Sequence, residues 1–207
     1  MTTDASSAYP RWARDELLAL AVRYGPPVIG VTHDPDAATY LATINTSRRP
    51  GEVCMVVRRR SGKLLLATKD IYPAGVYRLL TGGVHRGESV LAALLRETEE
   101  ETNLMVETRR FLAVARYQPP NAPAPDDYAT FAFLLDEVGG ELRVNDPHER
   151  LSGFREIAPR ELPAIADQLD AQPRAPSADL DADYRAWGRF RALTHRLVWQ
   201  ALASEPA

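Results

Sequence analysis

The chain has 207 residues, 45% of them hydrophobic, enough to bury a sizeable core and to exclude general disorder. Its 25 Lys and Arg against 28 Asp and Glu leave a formal charge of −3, which argues against attachment to a nucleic acid polymer through phosphate charge alone. One cysteine (Cys54) excludes an internal disulfide scaffold, no run reaches the roughly 18 apolar residues of a membrane span, and the opening MTTDASSAYPRWARDE lacks the apolar core of a secretory signal, so a cytoplasmic protein is the expectation.

From Arg11 to Tyr24 apolar residues recur at helical spacing, and Gly25-Pro26-Pro27 stops that helix. A short strand over 27–32 and a second helix over 34–43, capped by Asp34, complete an extension of residues 1–50. Arg48-Arg49-Pro50-Gly51 marks its boundary with a main domain over 51–207. That domain opens with VCMVV (53–57) and LLLA (64–67) around Ser61-Gly62, which predicts a β-hairpin with Arg58-Arg59-Arg60 at a solvated tip. A third short strand is expected over 76–80, and a helix over 89–102. Strands are predicted over 111–117 and 128–135, around a Pro-rich loop, 119–127. Gly139-Gly140 is read as a turn into a short strand, ELRV (141–144). A helix over 159–169 and a final helix over 181–202 follow. Strands and helices mixed in this order predict layered α/β packing.

Chemistry concentrates in GGVHRGESVLAALLRETEEETNL, residues 82–104. Gly82, Gly83 and Gly87 read as a flexible loop that lets backbone approach a ligand. Val90, Leu91, Leu94, Leu95 and Thr98 define one buried helix face. Glu97, Glu100 and Glu101 stand at i, i+3 and i+4, so their carboxylates gather on the neighbouring face. Like charges at that spacing cost a few tenths of a kcal/mol per pair, and a helix C-terminus disfavours anions. Water offsets this on a solvated face; a hard divalent cation offsets it more strongly.

The stretch resembles the Nudix box, G-x5-E-x7-R-E-U-x-E-E-x-G-U, with U apolar. Gly82, Glu88, Arg96, Glu97, Glu100, Glu101 and Leu104 hold their places with every spacing intact. Six fixed residue types, each at about 6% usage, coincide by accident in a chain this long about once in a hundred thousand. Thr98 stands at an apolar position, Asn103 replaces the glycine that ends the helix, and Leu80-Thr81 replaces the Pro-Gly common in relatives. Asn tolerates the left-handed cap such a turn requires.

The resemblance implies a Nudix-like α/β/α sandwich with a mixed sheet, plus the N-terminal extension and a C-terminal helix. It implies Mg²⁺- or Mn²⁺-dependent hydrolysis of a diphosphate bond in a small nucleoside diphosphate derivative, the lean being ADP-ribose or a similar nucleotide sugar. Glu97, Glu100 and Glu101 would hold metal, with the Thr81 carbonyl. Glu97 would otherwise act as base, Arg96 would orient it, and Glu88 would brace the loop with Gly82, Gly83 and Gly87. Glu149, in NDPHERLSGFREIAPREL (145–162), is the candidate for a further acid recruited from a distant loop; a solvated loop glutamate is the alternative. Pro120 lies where ADP-ribose-cleaving relatives carry a proline, and Tyr117 and Tyr128 flank its loop as base-stacking candidates. His85 and the three tryptophans are read as ordinary loop and packing residues. The extension covers one face of the sheet or exchanges between subunits to complete a homodimer's site. Two other functions stay open: a catalytically silent nucleotide-sensing module, and a hydrolase or isomerase of a non-nucleotide diphosphate.

Overall fold

A computed structural model describes residues 9–118, 128–177 and 179–204. In chain order the elements are α1 (Arg14–Tyr24), β1 (Val28–Thr32), α2 (Pro35–Leu41), β2 (Gly51–Arg58), β3 (Leu64–Lys69), β4 (Leu80–Val84), α3 (Val90–Thr102), β5 (Leu104–Tyr117), β6 (Ala129–Gly140), β7 (Leu151–Ile157), α4 (Leu162–Asp170), β8 (Pro176–Ser177), β9 (Ala182–Asp183) and α5 (Tyr184–Ala203). Seven strands form one mixed sheet in the order β1-β5-β6-β2-β3-β7, with β4 paired to β2. β1 runs parallel to β5, and β6 parallel to β2; the other pairings are antiparallel.

Alternation along the strands divides the core into two layers. Val53, Met55 and Val57 of β2, with Phe131, Phe133 and Leu135 of β6, pack against α1 and α3. Cys54 and Val56, with Ala132 and Leu134, face α2, α4 and α5. The sheet is thus covered on both faces, as a layered α/β/α arrangement requires. No helix among the described residues is long and apolar enough to cross a membrane.

The extension packs on its own chain, on both faces and one edge. Leu17 and Leu20 of α1 enter the α3-side core. Both carboxylate oxygens of Glu16 accept from the first backbone N–H groups of α3, Val90 at 2.9 Å and Leu91 at 3.0 Å. β1 extends the sheet, and α2, N-capped by Asp34, packs with Leu41 in the α5-side core.

Several sequence expectations need correction. The third strand covers Leu80–Val84 rather than 76–80, so Gly82 and Gly83 are strand residues paired with Val53 and Glu52, not loop. Leu95 turns away from the buried face of α3 and is exposed, while Leu91 is half-buried against the core; Ala93, Glu97 and Glu101 join that buried face. The Arg58 and Arg59 side chains are not free at a solvated tip, because Asp136 and Glu137 pair with them at 2.7 and 2.6 Å. β5 and β6 reach well beyond their apolar runs, through bulges that absorb the polar segment 105–110. ELRV is not a strand. The ladder ends at Gly140 (φ +87°), where a Cβ would lie 2.5 Å from the carbonyl oxygen of Asn103. The chain then folds back over the end of α3: Arg143 N–H donates to the Thr102 carbonyl, and Asn145 and Asp146 N–H both donate to that of Glu100. Those bonds occupy carbonyls that a helix C-terminus leaves without partners. They also deliver the segment after ELRV to the acidic end of α3.

Candidate active site

Helix α3 presents the acids because its ends are well defined. The Ser89 hydroxyl accepts from Ala92 N–H at 3.1 Å, and Asn103 takes the left-handed cap at φ 55°. Thr98 is buried and donates its hydroxyl to the Leu94 carbonyl, so it suits the apolar position it holds. Glu97 and Glu101, one turn apart, therefore point inward; Glu101 is only 1% exposed.

Gly82 makes room for Glu97. A Cβ at residue 82 would lie 1.9 Å from the Glu97 carboxyl carbon, so only glycine fits in that stretch of β4. Arg96 braces the other side. Its guanidinium bonds both oxygens of Glu88 (2.8 and 2.9 Å), one oxygen each of Glu97 and Glu100 (2.9 Å), and the Gly83 carbonyl (3.0 Å). Glu88 also accepts from His85 N–H, closing the turn in which Gly87 lies. Glu100 is thereby held on Arg96, apart from the inner acids.

The inner group is Glu97, Glu101 and Glu149, one oxygen of each lying within 4.8 Å of the others. Glu149 arrives from the turn before β7, carried there by the chain's return over α3. Sequence reasoning missed Lys69, the last residue of β3. Its ammonium lies 2.8 Å from Glu149 and 3.3 Å from Glu101. Burial raises the pKa of Glu101, against the opposing pull of Lys69 and Arg78. Burial likewise raises Glu97, although Arg96 opposes it. For Glu149 burial is outweighed by Lys69, and the carboxyl is held below its usual range. Desolvation disfavours the charge on Lys69, yet the neighbouring Glu101 holds its pKa up. The Glu101 oxygen that Lys69 faces, Oε1, is buried and makes no hydrogen bond beyond that ion pair. Three converging carboxylates, one of them with a buried oxygen short of hydrogen bonds, and a glycine cradle fit a hard divalent cation with oxygen ligands.

Beside the acids opens a cavity of about 420 Å³, within the ~300–1,000 Å³ common for small-molecule sites. Thr81, Gly82, Gly83, Glu97, Lys69 and Glu149 line its acidic end. Arg49, from the boundary before β2, stands against Gly83 there. The extension supplies a wall through Tyr40, Thr43 and Ile44, and the C-terminal region another through Leu180 and Trp187. Tyr128 also borders the cavity. Tyr117 does not serve as a stacking platform: it is 3% exposed and stacked on Phe190 with centroids 3.9 Å apart, its hydroxyl bonded to Thr130. The large apolar cluster under the β5–β6 end claims that ring. Pro120 lies outside the described residues.

A NUDIX domain family model matches residues 48–179. Over 100 residues the chain is 35% identical to a protein named NAD-capped RNA hydrolase NudC from Photorhabdus laumondii, covering 48% of this chain and 36% of that one. An ADP-ribose pyrophosphatase of Methanocaldococcus jannaschii is 34% identical over 96 residues, or 46% and 56% of the two chains. The matched stretch thus spans about a third to just over half of these relatives. A crystal structure of an ADP-ribose pyrophosphatase from Streptococcus suis superposes with a TM-score of 0.45 at 20% identity, over 75% of this chain and 93% of that one.

Proposed function

The chain belongs to the Nudix family, and from that premise we propose that it hydrolyses the diphosphate bond of a small nucleoside diphosphate derivative, with ADP-ribose or a similar nucleotide sugar as the leading substrate. The observation that carries this reading is the convergence of Glu97, Glu101 and Glu149 at the end of a nucleotide-sized cavity. Those three would hold Mg²⁺ or Mn²⁺, with the Thr81 backbone at the cavity edge as a further oxygen donor. Bound there, such an ion neutralises phosphate charge and lowers the pKa of water.

The protein's own groups prepare the rest. Arg96 fixes Glu97 through Oε1 and leaves Oε2 without a bond to any described residue, suited to taking a proton from an attacking water. Burial raises the basicity of that carboxylate, which favours the same role. Lys69 and Arg49 place positive charge where a diphosphate would enter. Glu88 and Glu100 act through Arg96 by holding its fork in plane.

Incubation with Mg²⁺ and a panel of ADP-ribose, ADP-glucose, NADH and ATP tests the proposal. Release of AMP from an ADP-linked sugar is the expected result, with a loss of at least 100-fold in Glu101→Gln, on the order of 3 kcal/mol of barrier. Absence of turnover towards every diphosphate, with either Mg²⁺ or Mn²⁺, overturns it.

A further inference from the structure

The cavity holds a second charged group besides the acids. Glu52, in β2, lies between Gly83 of β4 and Thr130 of β6, its register partners. It heads a strand otherwise built of buried apolar residues. Its Oε1 accepts from the Thr130 hydroxyl at 2.8 Å and from Arg191 Nη1 at 2.6 Å. Arg191 reaches it from α5, flanked by the Phe190 and Tyr40 rings at 5.0 and 5.6 Å. Both residues line the cavity while being less than 10% exposed.

The pair is incompletely satisfied. No described residue engages Glu52 Oε2, and Arg191 Nε is buried without a hydrogen-bond partner. A buried ion pair is stable only when its remaining donors and acceptors find partners. Its net charge is zero, so it offers a carboxylate acceptor beside guanidinium donors and no surplus charge of either sign. A hydroxyl group complements such a pair, donating to the carboxylate while accepting from a guanidinium N–H. A terminal phosphate carries acceptors only at neutral pH, and would set its charge against Glu52. Tyr72 and Trp187, with ring centroids 4.6 Å apart, supply an apolar wall beside the pair, and Ile44 of the extension another.

We infer that Glu52 and Arg191 form a specificity subsite that receives an uncharged, hydroxyl-bearing sugar on the far side of the diphosphate. This deepens the hydrolase reading and rests on it. The chain then selects diphosphates bridging two uncharged groups over nucleoside triphosphates, and the extension contributes to that choice from the same chain through Tyr40 and Ile44.

Calorimetric titration of the Glu97→Gln protein with ADP-ribose and with ATP reads the subsite without requiring turnover. The expected result is binding of ADP-ribose at least tenfold tighter than ATP, and at least a tenfold fall in that ratio when Glu52→Gln is added and leaves Arg191 as a net positive charge. Thermal unfolding reports whether the doubly substituted chain folds. Should it not fold, Thr43→Arg, at an exposed position lining the same cavity, supplies the positive charge instead and should move the ratio the same way. Equal affinity for both ligands, no binding of either, or a ratio unmoved by the added charge overturns the subsite. A preserved preference in a wild-type protein that hydrolyses nothing overturns the hydrolase reading alone.

Discussion

Lys69 places its ammonium 3.3 Å from the buried carboxylate of Glu101 and 2.8 Å from that of Glu149, two of the three inner acids. The last residue of β3 thus supplies internally the positive charge that the cluster demands. Removing one partner of a buried pair costs roughly 3–5 kcal/mol because the other charge is left behind. Lys69→Met should lower stability by about 3 kcal/mol in EDTA at pH 8, or about 6–12 °C in Tm for a chain of this size. Burial raises the pKa values of Glu97 and Glu101, so protonation relieves the repulsion and the deficit should shrink at pH 6. Added Mg²⁺ should stabilise the variant more than the wild type. An unchanged Tm in both conditions would show that Lys69 does not balance the cluster.

Gly82→Ala tests the cradle. A methyl group at 1.9 Å from the Glu97 carboxyl carbon must push that side chain aside, since the alternative is movement of a strand paired to β2. Activity should fall by about 100-fold or more, because displacements near 1 Å cost that much in positioned catalysis. Circular dichroism should be unaltered. Full activity in the variant would mean that Glu97 is free to relocate.

Arg96→Lys keeps the charge and removes the fork. One ammonium cannot span Glu88, Glu97, Glu100 and the Gly83 carbonyl together. The expected effect is a 10–100-fold drop in metal affinity or turnover, the usual cost of losing a residue that orients ligands. Titration of the metal by calorimetry, compared with kcat, separates the two.

Glu16 caps α3 from the extension, so the box helix depends on residues that precede the matched domain. Losing a cap costs about 0.5–2 kcal/mol. Glu16→Ala should lower Tm by about 1–8 °C. A variant as stable as the wild type would show that water replaces the carboxylate at Val90 and Leu91.

His195 links pH to stability. Its Nε2 accepts from Leu79 N–H at 3.0 Å, and Nδ1–H donates to the Arg191 carbonyl at 2.9 Å, which fixes the neutral tautomer. Burial, aided by the charges of Arg78, Arg191 and Arg196, brings its pKa down to about 3 from the ordinary 6.5. A depressed histidine contributes stability that is fully present above pH 6.5 and is lost as pH falls towards 3. Glu97 and Glu101 act in the opposite direction, but they are common to wild type and His195→Gln and cancel between them. The variant's deficit should therefore be about 2 kcal/mol smaller at pH 5 than at pH 8, at roughly 1.4 kcal/mol per pH unit below 6.5. A deficit independent of pH would mean that His195 titrates in the fold as it does in the unfolded chain.

Local signals were enough for the helices, for most of the strands and for half the site. Periodicity placed α3, and Asn103 ended it as expected. Asp34 was legible as a cap because its side chain acts on residues two and three ahead. The failures share a cause. ELRV carries strand-like residues, but the N–H of Arg143, and of Asn145 and Asp146 just after it, went to the open carbonyls of α3 instead of to a neighbouring strand. Glu52 and Arg191 gave weak signals, a carboxylate heading an apolar strand and a cation four residues after Trp187 on an apolar helix face. Neither reveals its partner, 139 residues away in the chain.

The sequence by itself determined that a helix would carry glutamates at one-turn spacing behind a glycine-bearing segment, because side chains three or four residues apart share a helix face whatever surrounds them. Which of those acids turn inward was decided only by tertiary packing. Arg96 took Glu100, the fold-back over α3 brought in Glu149, and β3 brought Lys69 between them. Electrostatic contact between residues about 30 to 80 apart depends on where the backbone closes its hydrogen bonds, and that closure is a property of the whole sheet.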